Sequence, residues 1–331
     1  MRQVTFTAHK QAELLEVPPV SGPLDPFKIR GKSLVSLTSP GTELNWGFLG
    51  KDFPSCPGYA NVFEVLEVGS KVSAIRPGDI VFGSANHVEL VDAVGAEVIP
   101  VPEGLKPEVA VFSRLMGVSM STLNTAAAHP PARVLVTGLG PVGNLAAQIF
   151  SRCGYMVTAV DPVEARCQTA RECGLSDVRA NLKEACADLE GKVALHVECS
   201  GHEQAVLDGC KLVCNRGEVV MVGVPWTRRA DMQAFDLLHA VFHRYVVLRS
   251  GWEWEVPKEP RAFAFHSIAG NLATAMEWLK DGSINVAPLG ACYSPSECQK
   301  VYAGLLEQTL PTPAALFDWR LLRCSAGLPK A

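Results

Sequence analysis

The chain has 331 residues, of which 48% are hydrophobic and 19% charged, and its formal net charge is −4. This length predicts two domains, and this balance of apolar and charged residues is typical of globular proteins that bury a core. No run of Lys and Arg marks a surface for nucleic acid or an anionic membrane, so the chemistry of small molecules is the favoured class of function.

The first ten residues, MRQVTFTAHK, lack the basic and then apolar layout of a signal peptide, and no apolar stretch is long enough to cross a bilayer. We therefore expect a cytoplasmic protein with no membrane partner. The 11 cysteines are scattered through apolar segments, which favours reduced, buried thiols over disulfides. Cys210 and Cys214 have a spacing that could suggest a metal, but no further pair or nearby His completes a tetrahedral site.

The first third of the chain consists of short alternating segments broken by Gly and Pro, such as KIRGKSLVSLTSPG and VFEVLEVGSKV. This pattern predicts a compact and mostly antiparallel β domain. A helical period follows in PEVAVFSRLMGVSMSTLNTAAAH, and the Pro-Pro-Ala sequence at 130–132 interrupts it. The interruption indicates a change of domain.

From Arg133 the chain alternates between buried strands and helices, beginning with RVLVTG, VGNLAAQIFSRCG and MVTAVD. Such alternation predicts a parallel sheet that is covered on both faces. Further strands are predicted at 193–201, 217–225 and 245–251. After these we expect a helix in GNLATAMEWLKDG, a strand in APLGACYS, and a last helix and strand.

The segment VLVTGLGPVGNLAAQ contains Gly138, Gly140 and Gly143 between a predicted strand and a predicted helix. In a GxGxxG turn the first glycine permits the tight turn, the second lets the backbone approach a pyrophosphate, and the third lets helix and strand pack closely. The N-terminus of the helix offers free N–H groups and a partial positive charge to the phosphates. The segment therefore predicts a dinucleotide site.

Asp161 ends the next predicted strand, about 20 residues beyond the glycines, where a carboxylate can accept hydrogen bonds from a ribose hydroxyl. A carboxylate there repels the 2′-phosphate of NADP, so we expect NAD(H). Arg166 complicates this expectation because a guanidinium nearby could bind that phosphate.

With these features the chain resembles the medium-chain dehydrogenase/reductase superfamily, and in particular its zinc-type alcohol and polyol dehydrogenases. The segments EVGSKVSAIRPGDIVFG and VVMVGVP also agree with that family. The resemblance implies an α/β fold, with a GroES-like β-rich catalytic domain (1–118 and 255–331) and a Rossmann domain with a doubly wound parallel sheet (119–254). It also implies the residues that contact the cofactor, namely Gly138, Gly140, Pro141, Val142, Gly143, Asp161, Arg166, Cys199, Ser200, Gly223, Val224 and Ser250.

The metal ligands of that family are missing. Where zinc-type relatives carry a Cys-Gly-Thr-Asp-like turn, this chain reads SPGTE, with Pro40 at the position of the cysteine. Tyr59 stands at the position of the ligating histidine, and Gly117 at that of the third ligand. The loop of four cysteines that binds structural zinc in many relatives is absent as well. We therefore predict no metal.

Zinc in such enzymes stabilises an alkoxide during hydride transfer, so other groups must hold that oxygen here. Thr42 matches the family's hydroxyl that contacts the substrate oxygen. Tyr59 could donate a second hydrogen bond or a proton, since an ordinary phenol has a pKa of about 10 and is neutral. Glu43 matches an acidic residue that could orient it. We expect Thr42, Tyr59 and Glu43 to form the catalytic site, whereas His87 matches no ligand position and is expected to be structural.

Tryptophans follow several of the predicted turns. Trp46 follows SPGTE, Trp226 follows VMVGVP, and Trp252 and Trp254 follow LRSG. In the resembling fold the last two turns flank the nicotinamide. We expect Trp46, Trp226 and Trp252 to line a pocket for a large or ring-shaped substrate.

The favoured function is a zinc-independent, NAD-dependent oxidoreductase that interconverts a secondary alcohol and a ketone. The turns resemble those of the bacteriochlorophyllide dehydrogenase type, which implies a cyclic or specialised metabolite as the substrate. The alternatives are an NAD(P)H-dependent enone or quinone reductase and a dinucleotide-binding protein without catalysis. Relatives commonly pair the sheet edges of their cofactor domains, so we also expect a homodimer.

Overall fold

The computed structural model describes residues 1–18 and 22–322. It divides into two compact units, the first comprising Met1–Phe112 and Gly290–Ala331 and the second Ser113–Leu289. The predicted boundaries lay at 118 and 254. The second unit takes in more of the chain because two of its helices pack together, with the side-chain amide of Asn124 donating to Asn271 Oδ1 at 2.7 Å.

The elements run in chain order. The first stretch contains strands β1 (Arg2–Ala8), β2 (Gln11–Glu16), β3 (Lys28–Leu37), β4 (Asn61–Val68), β5 (Ile80–Gly83), β6 (Leu90–Val94) and β7 (Ile99–Pro100), with the one-turn helix α1 (Pro40–Thr42), a π-helix (Glu43–Phe48) and α2 (Pro107–Ala110). The middle contains α3 (Ser113–Thr125), β8 (Arg133–Thr137), α4 (Pro141–Arg152), β9 (Met156–Val160), α5 (Glu164–Glu172), β10 (Val178–Arg179), α6 (Leu182–Leu189), β11 (Val193–Glu198), α7 (Glu203–Leu212), β12 (Val213–Met221), α8 (Ala234–Arg244), β13 (Val247–Ser250) and α9 (Ile268–Lys280). The last stretch contains β14 (Gly290–Tyr293), α10 (Cys298–Glu307) and β15 (Ala314–Asp318). Short 3₁₀ turns lie at Gly95–Glu97, Glu253–Glu255, Pro295–Glu297 and Trp319–Leu321.

The first unit is built on a seven-stranded sheet in which β14, β15, β3, β4, β5 and β7 are neighbours in that order and β6 pairs with β3. Its pairings are antiparallel apart from β14 with β15. Strands β1 and β2 form a separate hairpin. An aromatic cluster packs beside it, where the ring of Phe6 lies 4.7 Å from that of Tyr302 and 5.6 Å from that of Phe48. The prediction of a β-rich, mostly antiparallel domain is confirmed.

The second unit is built on a six-stranded parallel sheet with the order β10-β9-β8-β11-β12-β13. This is the Rossmann order, in which the strands reverse direction of winding between β8 and β11. Val134, Val136 and Val197 in the central strands are fully or almost fully buried, as expected for a sheet covered on both faces. The prediction of a Rossmann domain is confirmed, and its cofactor is expected at the carboxyl ends of these strands.

Two other features bear on the sequence predictions. Among the described residues, no helix is both long and apolar enough to cross a membrane. Cys210 lies in α7 and Cys214 in the following strand β12.

Candidate functional site

The glycine-rich turn connects β8 to α4, and two of its glycines are required by close contacts. Gly138 has a φ of 82°, and a Cβ built there would lie 2.6 Å from the backbone nitrogen of Ser200. A Cβ on Gly143 would overlap the carbonyl oxygen of Gly138. The turn and the close approach of helix to strand therefore both require glycine at these positions.

Gly140 differs from its neighbours because a Cβ there would meet nothing within 4 Å. It caps α4, which starts with Pro141 and has neither an acidic residue nor a side-chain cap in its first turn. The N–H groups at the start of this helix, beginning with that of Val142, are thus left for an anion. The open surface and the free donors fit the pyrophosphate of a dinucleotide.

Asp161 follows β9 and is 1% exposed. One of its carboxylate oxygens accepts from the backbone N–H of Leu139 at 2.7 Å, and the other from that of Val163 at 2.8 Å. Arg166 lies 3.4 Å from the same carboxylate, with about a third of its side chain exposed. Asp161 therefore ties the glycine turn to the loop after β9, and Arg166 is the more accessible charge at this place.

Glu198 forms hydrogen bonds to several of the predicted cofactor residues. The sequence analysis did not identify this glutamate. Its carboxylate accepts from the N–H of Ser200 at 2.7 Å, from the N–H of Gly201 at 3.0 Å and from the Ser200 hydroxyl. Its backbone carbonyl accepts from the N–H of Gly223 at 2.7 Å. Burial raises the pKa of the Glu198 carboxyl, and these hydrogen bonds oppose the rise. The available signal was an acidic residue at the end of the apolar strand VALHVE.

The loops after β11, β12 and β13 carry the remaining predicted cofactor residues. Cys199 is half-buried, and burial raises the pKa of its thiol well above its usual range. Val224 is exposed, and Ser250 ends β13, where its hydroxyl accepts from the N–H of Trp252 at 3.2 Å. These residues lie at the carboxyl ends of the parallel strands, where the Rossmann fold binds its cofactor.

His196 lies in β11, fully buried next to Glu198. Its Nε2 is 2.8 Å from the Thr137 hydroxyl, and burial lowers its pKa to about 3. No described residue gives its Nδ1 a hydrogen bond, and a Cβ on Gly209 would overlap that nitrogen. His196 is therefore a neutral core histidine under the closely packed helix α7.

The predicted tryptophans are distributed over both units. Trp46 lies in the π-helix of the first unit and is 63% exposed, whereas Trp226 and Trp252 lie in the second unit and are 37% and 69% exposed. Trp254 is also exposed. Each unit by itself presents these rings to the solvent.

The turn that matches the family's metal site lies in the first unit between β3 and the π-helix. Pro40 begins α1, and Tyr59 is half-buried before β4. Gly117 lies in α3 of the second unit, where a Cβ would be 3.3 Å from Leu272 of α9, so this glycine serves helix packing. Across residues 1–18 and 22–322, no group of three or more His, Cys, Asp or Glu residues is arranged to bind a metal. The side chains at the three family ligand positions do not fit zinc.

The predicted catalytic groups are connected through Ser39. The Tyr59 hydroxyl donates to Ser39 Oγ at 2.5 Å, and the Ser39 N–H donates to Glu43 Oε1 at 2.8 Å. Thr42 lies between Ser39 and Glu43 in sequence and is half-buried. Its hydroxyl has no hydrogen bond within the described chain. The second oxygen of Glu43 accepts from Tyr302 at 2.6 Å and lies 3.1 Å from His87 Nε2. Sequence reasoning missed Ser39, His87 and Tyr302 as neighbours of this site.

Comparison with known proteins shows which families the chain resembles. A family model described as zinc-binding dehydrogenase matches residues 141–256. The chain is 28% identical over 171 residues to D-guloside 3-dehydrogenase of Shigella flexneri, covering 49% of each protein. It is 24% identical over 256 residues to L-threonine 3-dehydrogenase of Bacillus licheniformis, covering 64% of this chain and 72% of the relative.

Solved structures share the whole fold at low sequence identity. Galactitol-1-phosphate dehydrogenase from Escherichia coli superposes with a TM-score of 0.80 at 17% identity, covering 96% of this chain and 100% of that one. Acetophenone reductase from Geotrichum candidum in complex with NAD gives 0.77 at 16% identity, covering 96% of each chain. A putative zinc-binding dehydrogenase from Sinorhizobium meliloti bound to NADP gives 0.75 at 16% identity, covering 96% and 98%.

The fold and the glycine turn thus define a two-domain protein with a Rossmann dinucleotide-binding fold. The chain is similar over residues 141–256 to the zinc-binding dehydrogenase family, and it shares the fold of the solved dehydrogenases and the reductase named above. It spans about half the length of the first of the curated relatives.

Proposed function

We propose that this protein is an NAD(H)-dependent oxidoreductase that interconverts a secondary alcohol and a ketone without zinc. The observation that carries the proposal is a glycine turn shaped for a dinucleotide in a chain whose metal-ligand positions hold hydroxyl-bearing or inert residues. The relatives named above are dehydrogenases by name, which supports the same type of reaction here.

Thr42 and Tyr59 are proposed to take over the role of the metal. In the alcohol-to-ketone direction a hydride leaves the carbinol carbon for the cofactor, and the hydroxyl proton must leave the substrate oxygen. Neutral hydroxyls that donate hydrogen bonds to this oxygen stabilise its developing negative charge. The Tyr59 hydroxyl is half-buried, and the free Thr42 hydroxyl keeps its donor available. In the reverse direction the phenol can supply the proton to the forming alkoxide.

NAD(H) is proposed as the cofactor because the Asp161 carboxylate lies beside the glycine turn, where it disfavours a 2′-phosphate. Arg166 is the opposing feature, since its partly exposed guanidinium could pair with such a phosphate. Solved structures with this fold contain either nucleotide. The balance between Asp161 and Arg166 therefore decides the preference.

The substrate is proposed to be cyclic or otherwise large, and the exposed rings of Trp46, Trp226 and Trp252 support this. An enone or quinone reductase is the second candidate, because hydride transfer to a carbon of a C=C bond needs no zinc-bound alkoxide and because exposed Arg166 suits NADPH. A dinucleotide-binding protein without catalysis is the third.

One experiment separates the three candidates. A cyclic enone, which offers both C=O and C=C, is incubated with the protein and with NADH deuterated at its transferable position, and the product is examined by NMR. Deuterium on the carbinol carbon supports the proposed function. Deuterium on the β-carbon identifies an enone reductase, and saturable NADH binding without turnover of this or any other carbonyl compound identifies a protein without catalysis.

A homodimer is proposed on the surface beside β13. This strand forms one edge of the six-stranded sheet, and the neighbouring helix α8 exposes Phe235, Leu238 and Phe242 at 66%, 65% and 77%. Apolar side chains in such a group are costly to leave in water, and a second copy of the same edge could cover them. No nucleic-acid or membrane partner is proposed.

A further inference from the structure

Polar side chains from separate parts of the first unit meet in its core directly behind the turn that carries Thr42. Glu43 is 3% exposed, and both His87 and Tyr302 are fully buried. His87 Nε2 lies 3.1 Å from Glu43 Oε2, and the Tyr302 hydroxyl donates to the same oxygen at 2.6 Å. The proposed function uses neither His87 nor Tyr302.

The other side of the imidazole is satisfied as well. His87 Nδ1 lies 2.8 Å from the Ser36 hydroxyl, which accepts from Trp319 Nε1 at 3.1 Å. The Ser36 hydroxyl thus bridges the Trp319 indole and the imidazole. His87 in turn connects Ser36 to Glu43 through its two ring nitrogens. The ring is held further by an edge contact with Phe317 at 5.0 Å.

His87 also supports the loop that carries Tyr59. Its backbone N–H donates to the carbonyl of Pro57 at 2.9 Å. Gly58 has a φ of 101°, and a Cβ there would lie 2.9 Å from the imidazole ring. The ring thus fills the space beside Gly58 and supports the backbone next to Tyr59.

The network of Glu43, His87 and Tyr302 contacts the segments that carry both partners of the hydrogen bond between Tyr59 and Ser39. Glu43 holds Ser39 through its backbone N–H, and His87 holds Tyr59 through Pro57 and Gly58. Burying a carboxylate is costly even with three donors, and apolar replacements of buried polar networks are often as stable. Stability alone therefore does not account for these side chains.

We propose that His87 and Tyr302 are positioning residues that act through Glu43 and Gly58 to fix the Tyr59 hydroxyl against Ser39. The proposal rests on the proposed function insofar as Tyr59 contacts the substrate oxygen. It predicts that loss of either group moves Tyr59 without unfolding the protein. In the dehydrogenase reaction the change affects kcat more than KM, because the hydroxyl stays present but is misplaced.

The test uses the full-length protein labelled with 3-fluorotyrosine. The chain has five tyrosines, and the ¹⁹F resonance of Tyr59 is assigned by its loss in Tyr59→Phe. The test variants are Tyr302→Phe and His87→Gln. Tyr155→Phe is the matched control, because the Tyr155 hydroxyl is a buried donor to the Ala128 carbonyl in the other unit.

We expect the Tyr59 resonance to shift in both test variants and to stay in place in the control. We also expect kcat to fall about tenfold in the test variants, with KM within about twofold of the parent.

The ¹⁹F readout does not depend on activity, so the two hypotheses fail separately. An unchanged Tyr59 resonance in both test variants overturns the positioning role, whatever the activity. A shifted resonance in a protein that turns over no alcohol or carbonyl supports the positioning role and overturns the proposed function. An equal loss of kcat in Tyr155→Phe would also overturn the positioning role, because any lost buried hydroxyl would then have the same effect.

Discussion

Thr42 ends the short helix α1 and Tyr59 precedes β4, and both residues are half-buried in the first unit. A hydroxyl that donates to a developing oxyanion contributes to kcat only if it reaches the transition state. Substitutions of these two residues therefore test the zinc-free mechanism.

Replacing Tyr59 by Phe or Thr42 by Ala removes one donor each. We expect kcat/KM for ketone reduction to fall by about 10²-fold in each variant, since a donor at an oxyanion contributes about that much. Tyr293→Phe is the control, because this phenol lies at the edge strand β14 of the same unit. If both site variants stay within about twofold of the parent, the oxyanion account is incorrect.

Arg166 and Asp161 decide the nucleotide preference at the same scale. We expect Arg166→Ala to lower kcat/KM with NADPH about tenfold and with NADH much less, because only NADPH offers the guanidinium a 2′-phosphate. Steady-state kinetics with both nucleotides measure this. Arg171→Ala is the control, since Arg171 lies on the same helix and pairs with Glu164. An equal loss with both nucleotides would show that Arg166 acts by supporting Asp161.

At the scale of elements, β11 carries two buried ionisable groups, His196 and Glu198, below the cofactor loops. The strand brings His196 to Thr137 of β8 and Glu198 to the loop that follows β11. Sheet and loops are therefore joined by side chains as well as by backbone pairing. A neutral histidine in this position makes the stability of the second unit sensitive to pH.

The direction of that effect follows from the pKa of His196, which falls from 6.5 to about 3 on folding. Between these values the unfolded chain binds the proton and the folded chain does not, so stability is lost as the pH falls below 6.5. From pH 7 to pH 5 we expect His196 to lower the free energy of unfolding by about 2 kcal/mol. Urea titrations of the parent and of His196→Gln measure the difference. Equal slopes against pH in both proteins would contradict the prediction.

At the scale of the whole molecule, the exposed side chains of α8 beside the β13 edge favour association. We expect Phe242→Glu to convert a dimer to a monomer, because a charge at the centre of an apolar contact must be desolvated. Light scattering after size exclusion gives the mass directly. Phe265→Glu is the control, since Phe265 is also exposed but lies away from α8 and β13 in sequence. A parent protein that is already monomeric would refute the homodimer.

The local signals of the sequence were sufficient for the fold and for the cofactor turn. Gly138 and Gly143 were predicted from their spacing, and the structure gives each a contact that excludes a side chain. Spacing was informative because the turn, its strand and its helix are consecutive in the chain. Most neighbouring strands of the second unit are also consecutive in the chain, whereas β11 pairs with β8 across the connection from β10.

The candidate catalytic site was predicted less completely. Glu43 was expected to orient Tyr59, and the structure links the two through Ser39. Its partners His87 and Tyr302 are 44 and 259 residues away in sequence. No local pattern marks such partners, because a buried hydrogen bond between distant segments forms only when both are packed in one core.

The sequence by itself determined the parallel sheet and the dinucleotide turn, because these depend on periodicity and on glycines a few residues apart. Tertiary structure alone decided that Asp161 is buried while Arg166 is partly exposed, and that Glu198 joins the cofactor loops. It also brought His87 and Tyr302 to Glu43. The physical reason is that burial and hydrogen bonding of a charged group depend on every segment that surrounds it, and those segments are distant in the chain.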